Sequence, residues 1–483
     1  MKKMKKYILT ILIVVVAITS CDDRLDTFPS DTVASEEAFK NDGDFTNAMS
    51  GAYESMVIYR LDGTTDTPNY YGGVIQGLEV LSDNLVISRE GRLSQQARHD
   101  WNYDQNSGYF FSRAAYATIR NVNTILANID NLDAGAFKNN IMGEALALRA
   151  LSHFDIIKYY GEIPTQNAGS NGTLAMPYMT IADINDLPSR DLTIGEFYQK
   201  IVDDLTTAEG LIGASTANST YRTNKDAVNG ILANVYLHMG NMPAAVTAAN
   251  KVTISIASRA SFTGIWDDSD RSGILFGLRN DDNTSVGLGV PYSQTANGIK
   301  SEYVPDFAFY SLYASNDVRK TAYFETSLFG GINYNHVKKW YSSTIATSLG
   351  NVDAKIIRAS EVMLIKAEAL AAQGQDGTAL AALDAVRSQR YNGFTSGGET
   401  GQALKDAIQL ERRLELAFEG SRFTDLKRFG LSVTRSNFGH LADGTGQSAD
   451  ELILPANNHK FNLPISVAEL NLNPNMVQSP GYN

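Results

Sequence analysis

The sequence predicts a mainly α-helical protein whose helices pair into hairpins on one scaffold, with a loop-rich face and minor β-hairpins. Three observations predict it. Apolar residues recur at three and four residues through most of the chain, as on one face of a helix. Two Ala-rich stretches each read as helix, Gly turn, helix. Between them lies a Gly-, Asn-, Asp- and aromatic-rich insert with short strand-like runs.

Taken in order, Met1 to Lys6 carries Lys2, Lys3, Lys5 and Lys6, and Tyr7 to Ile18 is almost wholly apolar. That is the charged and greasy part of an export signal. The apolar run is too short for a bilayer span, which needs about 20 residues. Ile18-Thr19-Ser20-Cys21 resembles the lipobox of bacterial lipoproteins, in which the cysteine becomes the acylated first residue of the mature chain. Each methylene of an acyl chain such as palmitate contributes about 0.8 kcal/mol of membrane affinity, so two or three chains anchor a protein durably. Cys21 is the only cysteine, so the mature chain has no internal disulfide or thiolate metal site. Residues 1–20 are thus read as a lipoprotein signal, 21–36 as a lipidated tether, and 37–483 as a single helical domain.

Removing residues 1–20 deletes four lysines and no acids, leaving 37 basic against 53 acidic residues and a net charge of −16. An acidic body of this kind argues against nucleic acid as a partner. Phe45, Ala48, Met49, Ala52, Tyr53 and Met56 form the first apolar stripe. Ala115, Ile119, Val122, Ile125 and Ile129 form the next, and Ala147, Leu151, Phe154 and Ile157 a third that closes on Gly161 and Pro164. The Ala-rich hairpins turn at Gly240 and Gly374, and Ala233, Ala245, Ala248, Ala367, Ala369, Ala379 and Ala382 let their helices approach closely. The layout is that of divergent tetratricopeptide-like units, at about 107–251 and 355–430, without the Trp-x2-Leu-Gly consensus. The insert covers about 253–348, and a Pro-punctuated tail, 431–483, is expected to wrap the surface.

No H-E-x-x-H, G-x-S-x-G or phosphate-binding glycine loop occurs, and no catalytic residue is assigned. The six histidines never stand at metal-ligand spacing, and no metal ligand is assigned. "WDDSDRSG" and "RNDDNTSVG" have the oxygen donors of calcium loops, but neither fits the EF-hand spacing and Arg271 stands where a ligand oxygen is wanted. Solvated loops are the expectation there, with bound calcium as the alternative. The charges of "ERRLELAFEGSRFTDLKRFG" are expected to pair at i, i+3 and i+4 along their own helix.

Several segments together resemble the SusD/RagB family of outer-membrane nutrient-binding lipoproteins. They are "SCDDRLDTFPSD", "GEALALRALSHFDIIKYYGEIP", "NKDAVNGILANVYLHMGN", "IIRASEVMLIKAEALAAQG", "ERRLELAFEGSRFTDLKRFG" and "NLPISVAELNLNPNMVQSPGY", in the expected order. The tail departs at Ile465-Ser466, where Ile-Pro is usual, and at Gln478-Ser479-Pro480, where Gln-Asn-Pro is usual. The resemblance implies four tetratricopeptide-like units and a loop-rich ligand face. It also implies a lid over a SusC-like TonB-dependent outer-membrane barrel that captures oligosaccharides, or in some branches peptides or glycopeptides, for import, without catalysis or a cofactor. Acidic residues after the lipidated cysteine, here Asp22 and Asp23, are associated in this family with display on the cell exterior. A lipid-anchored helical-repeat scaffold is the alternative from another class.

Sugar binding needs flat aromatic faces and groups that take hydroxyls. Trp101 and Tyr103 stand in a polar stretch, Trp266, Tyr303 and Trp340 stand in the insert, and Asp83 and Asn84 match a family position near the ligand face. These seven are the ligand-binding candidates, each weighed against ordinary packing, since Trp and Tyr are usually largely buried. Tyr70 and Tyr71, set against glycines, read as a binding loop or a contact with the barrel.

Overall fold

The structure is a computed structural model that describes residues 38–57, 70–107, 111–183, 185–213, 220–280, 288–289, 292, 294–295, 299–341, 350 and 352–482. The expected signal, Cys21 and the tether lie outside the described residues. Helices α1 (Asp42–Val57), α2 (Tyr70–Gly77), α3 (Ser112–Ala127), α4 (Ala136–Tyr160), α5 (Ile194–Leu211), α6 (Lys225–His238) and α7 (Met242–Ala249) come first. They are followed by α8 (Ala359–Ala372), α9 (Asp376–Arg387), α10 (Gly401–Glu415) and α11 (Arg422–Arg428). Neighbours in sequence from α3 to α7 pack on one another, and α7 then packs on α8, joining the two Ala-rich hairpins side by side.

Local chemistry sets the helix ends. Thr193 starts α5 with a reciprocal capping box to Glu196, and Asn224 and Asn241 cap α6 and α7 through their side-chain oxygens. Gly240 and Gly374 follow α6 and α8 in the left-handed conformation (φ 74° and 72°) that a helix-ending glycine supplies. Gly161 ends α4 differently, in an extended conformation at φ −128°. A Cβ there would lie 2.6 Å from the Ile157 side chain and 2.8 Å from that of Ile194, so this glycine serves close packing. The seven seam alanines named above are all buried. Enlarging one would overpack the seam, at a cost of about 1–3 kcal/mol.

The strands are β1 (Leu85–Ile87), β2 (Ile274–Leu278), β3 (Tyr303–Pro305), β4 (Phe324–Phe329), β5 (Ile332–Val337) and β6 (Ala354–Arg358). β4 and β5 form a hairpin whose two-residue turn, Gly330-Gly331, has both residues left-handed, as such turns require. The other pairings are long-range: β1 lies antiparallel to β3, and β2 to β6. Trp340 stands in the turn after β5.

The expectation of ion pairs within the helix of residues 411–428 is corrected. Among the described residues of that stretch, Arg428 with Asp425 is the pair at i, i+3; the others bridge separate elements. The reason is burial: Glu411, Arg412 and Glu415 lie on the covered face of α10, so partners come from elements packed on it. Glu415 accepts from Arg358 Nη1 at 2.8 Å, Arg390 Nη2 at 2.9 Å and Arg319 Nη1 at 3.3 Å, all four side chains being buried. Burial alone would raise the Glu415 carboxyl, but the three guanidiniums hold it well below the usual carboxylate range.

His153 and His238 are core residues, each directing Nδ1 at the carbonyl four residues back, Arg149 and Asn234 respectively. The carboxylates of "WDDSDRSG" are likewise engaged. Asp268 accepts from Lys355 Nζ at 2.6 Å, and Arg271 donates to Asp353 at 2.6 Å. Most of "RNDDNTSVG" lies outside the described residues.

Candidate ligand-binding face

After β1 the chain runs through residues 88–104, where it carries three left-handed non-glycine residues, Arg89 (φ 64°), Leu93 (φ 57°) and Trp101 (φ 51°). They are three of the six such residues among those described. Backbone of this kind costs energy and gathers where a surface must be held in one shape. Two carboxylates hold this one. Buried Glu302 accepts from Arg92 Nε at 3.0 Å, Ser94 N at 3.2 Å and Ser94 Oγ at 2.5 Å. Asp450 accepts from Arg89 Nη2 at 2.7 Å and Gln96 Nε2 at 3.4 Å. Gly91 allows the chain to close on Glu302, whose Cα lies 2.4 Å from where a Cβ would stand.

The outer side of the segment is polar and open: the Arg92 side chain is 61% exposed and that of Asp450 44%. Guanidinium, amide and carboxylate groups fixed in this way suit hydroxyl-rich ligands, because each can take two hydroxyls at once. Trp101, in the same segment, is buried. Its Nε1 donates to Leu81 O at 3.0 Å, and the Arg435 guanidinium lies 4.0 Å from its ring centroid. Burial and the nearby Arg435 push the His99 imidazole down to about 4, so it is neutral here.

The structure brings Asp83, Asn84, Trp101, Tyr103 and Tyr303 into the neighbourhood of this segment and sets Trp266 and Trp340 together elsewhere, with ring centroids 5.5 Å apart. All seven are buried, as in the ordinary packing against which each was weighed. Tyr303 faces Ile87 across the β1–β3 pair, and the Tyr103 hydroxyl donates to the Lys460 carbonyl. Buried Lys339 has its Nζ 4.1 Å from the ring centroids of both Trp266 and Tyr323, and Trp340 Nε1 donates to Phe418 O at 2.9 Å. The Asp83 carboxylate accepts two bonds from Arg422, at 2.8 and 2.9 Å. Burial would raise its pKa, but Arg413 and Arg422 hold it low. Asn84 bridges Arg413 Nε (2.9 Å) and Glu79 Oε1 (2.8 Å). Tyr70 and Tyr71 are also interior, both donating to Asp155 Oδ2 at 2.9 Å. Large rings go inside because covering them is among the strongest apolar contributions a core has.

The residues missed from sequence are Arg89, Arg92, Gln96 and Asp450. The only signal for the first three is the polar run "SREGRLSQQ" after a strand, which marks a surface loop without naming a ligand. A separate pocket of about 230 Å³ lies between α3 and residues 464–476. Its walls include Ile119, Met176, Ile181 and Pro464, a lining better matched to apolar groups than to hydroxyls.

Comparison with known proteins adds the context. The SusD family model matches residues 256–482, and a second family, described as starch-binding and associating with the outer membrane, matches residues 65–237. A SusD-like protein, P2, of Formosa agariphila is 24% identical, over 99% of this chain and all of that protein. Among solved structures, a putative sugar binding protein of Bacteroides vulgatus superposes with a TM-score of 0.79 at 25% identity, over 92% of this chain and 100% of that one. A SusD superfamily protein of Bacteroides thetaiotaomicron gives 0.77 at 23%, over 91% of this chain and 100% of its own.

Proposed function

This chain belongs to the SusD family, and we propose that it is a lipid-anchored outer-membrane lipoprotein, displayed on the cell exterior, that captures oligosaccharides and passes them to a SusC-like TonB-dependent barrel. It binds its cargo and does not cleave it. One observation carries the reading: two family matches, in order, extend over most of the chain, and the second is described as starch-binding and associating with the outer membrane. The polar, braced surface of residues 88–104 supports it, since Arg92 and Asp450 offer the charge-assisted bonds that sugar hydroxyls take up. Cys21 carries the lipid, with Asp22 and Asp23 as the surface address.

Calorimetry of the wild-type protein against parallel glycan and peptide panels tests the cargo, with micromolar-range glycan binding expected. Binding to peptides alone would replace the carbohydrate reading by peptide capture on the same fold. Purification from the native membrane tests the partner: a large barrel should accompany the protein, whereas an exclusively periplasmic partner set would favour a scaffold. Cys21→Ala should release the protein from the membrane when the barrel is absent, and firm retention there would overturn the anchor.

A further inference from the structure

The seven aromatic and polar candidates are buried, so a carbohydrate site on this face needs a ring from elsewhere. Among the described aromatic residues, Tyr221 and Phe438 stand out as exposed, at 36% and 48%. Tyr221 is engaged elsewhere, its hydroxyl donating to Asp353 at 2.8 Å and the Arg271 guanidinium lying 3.6 Å from its ring centroid. Phe438 meets Phe307 edge-to-face at 5.2 Å and 62°, a contact that uses at most one face of either ring.

Single exposed apolar residues are common and need no explanation. Phe438 differs because its surroundings hold it in place. Ser436 donates from N (3.1 Å) and Oγ (2.6 Å) to Asp306, and Phe438 N donates to Ser436 Oγ at 3.3 Å. Gly439 N donates to Gly444 O at 2.8 Å, closing the loop beyond the ring. Gly444 (φ 81°) comes so near Phe307 that a Cβ would lie 2.6 Å from it, so no side chain fits there and Phe307 is braced from behind. The loop also belongs to the candidate face. Arg435, at its start, lies over Trp101, and Asp450, at its end, binds Arg89.

We propose that Phe438, braced by Phe307, is the platform on which the C–H face of a pyranose ring stacks, extending the polar surface at Arg92 and Asp450 into a site for several sugar units. This rests on the carbohydrate reading above. A fixed flat ring suits the task because little conformational freedom is lost on binding.

The full-length lipoprotein in detergent micelles is titrated calorimetrically with maltohexaose, cellohexaose, xylohexaose and laminarihexaose. With the hexaose that binds wild type, Phe438→Ala and Phe438→Leu should each weaken binding about tenfold or more, and Phe438→Trp should match or exceed wild type. All three should melt within about 2 °C of wild type, since the side chain is outside the core. If Phe438→Ala binds like wild type while Arg92→Ala binds more weakly, the platform is overturned and the carbohydrate reading stands. If leucine restores what alanine loses, an apolar contact has replaced stacking and the proposal fails. If wild type binds no hexaose, the platform fails; if it binds peptides instead, the carbohydrate reading falls with it.

Discussion

Glu415 and Glu302 are both buried glutamates that bind arginine, but they are used in opposite ways. Glu415 gathers three guanidiniums that are buried with it, tying α10 to β6 and to the chain around Arg319 and Arg390. Glu302 instead reaches outward to Arg92, which is 61% exposed, and to Ser94 beside it. In the first place charge is an internal strut; in the second it aims a surface. Residue type and charge density are alike in the two, so what separates structure from recognition is the burial of the partner.

The widest gap between them should appear in stability. Glu415→Ala takes from buried Arg390 its carboxylate partner and from Arg358 and Arg319 one of theirs, Glu419 remaining to the first and Asp317 and Glu411 to the second, and removing one partner of a buried pair costs about 3–5 kcal/mol. We expect at least that loss in denaturant unfolding, or failure to accumulate folded protein. A loss below about 1 kcal/mol would break the contrast, because Glu415 would then be no strut. Next comes the buried ring of the segment, Trp101. Trp101→Ala should cost about 3 kcal/mol, the lower end for removing a buried tryptophan, because Arg435 keeps its bonds to the Val80 and Ser82 carbonyls. Any loss of ligand binding by that variant should therefore track loss of folding, which circular dichroism and titration on the same sample would show.

The helices were legible in the sequence because their signals are local. The apolar stripes, the Asn224 and Asn241 caps and the left-handed glycines at 240 and 374 each depend on neighbours within a turn or two. The face was not, for two physical reasons. Its braces come from far along the chain, as with Glu302 and Asp450 on residues 89–96, and no spacing rule reports them. Its strained backbone uses Arg89, Leu93 and Trp101 where glycine would be the readable choice. The aromatic candidates meet the same difficulty: Trp340 and Tyr303 read as sugar platforms or as core in a Gly- and Asn-rich insert, and the partners that bury them, Phe418 and Ile87, lie far away in the chain.

A smaller effect concerns pH. Lys427 is buried with its Nζ donating to the carbonyls of Lys158 (2.8 Å) and Gly161 (2.6 Å) at the end of α4, and burial pushes it down to about 7. The unfolded chain holds that proton up to about 10.4. Below about 7 both states are charged and the burial cost is full; from there to about 10.4 the unfolded state binds more protons, so stability rises with pH. The slope from this group is at most about 1.4 kcal/mol per pH unit. Lys427→Met should flatten the rise in denaturant midpoints between pH 7 and 9.5, leaving the part due to Lys339, which burial lowers to about 8. A slope unchanged by the substitution would show that the lysine is hydrated.

The smallest stability effect should come with the sharpest effect on binding. Arg92→Ala removes an exposed partner, and exposed ion pairs contribute about 0–1 kcal/mol. Glu302 keeps both bonds from Ser94, so it is not stranded as Arg390 is when Glu415 is removed. The melting temperature should scarcely move, while affinity for the hexaose that binds wild type should fall about tenfold, the scale of one charge-assisted hydrogen bond. Arg92→Lys should recover the charge but little of the affinity, because a lysine cannot keep two nitrogens, as Arg92 keeps Nε and Nη2, on Glu302 while presenting a third donor nitrogen. Full recovery by lysine would mean that Arg92 acts through long-range charge alone. Binding would then weaken steeply with salt, and the braced geometry of residues 88–104 would have no part in recognition.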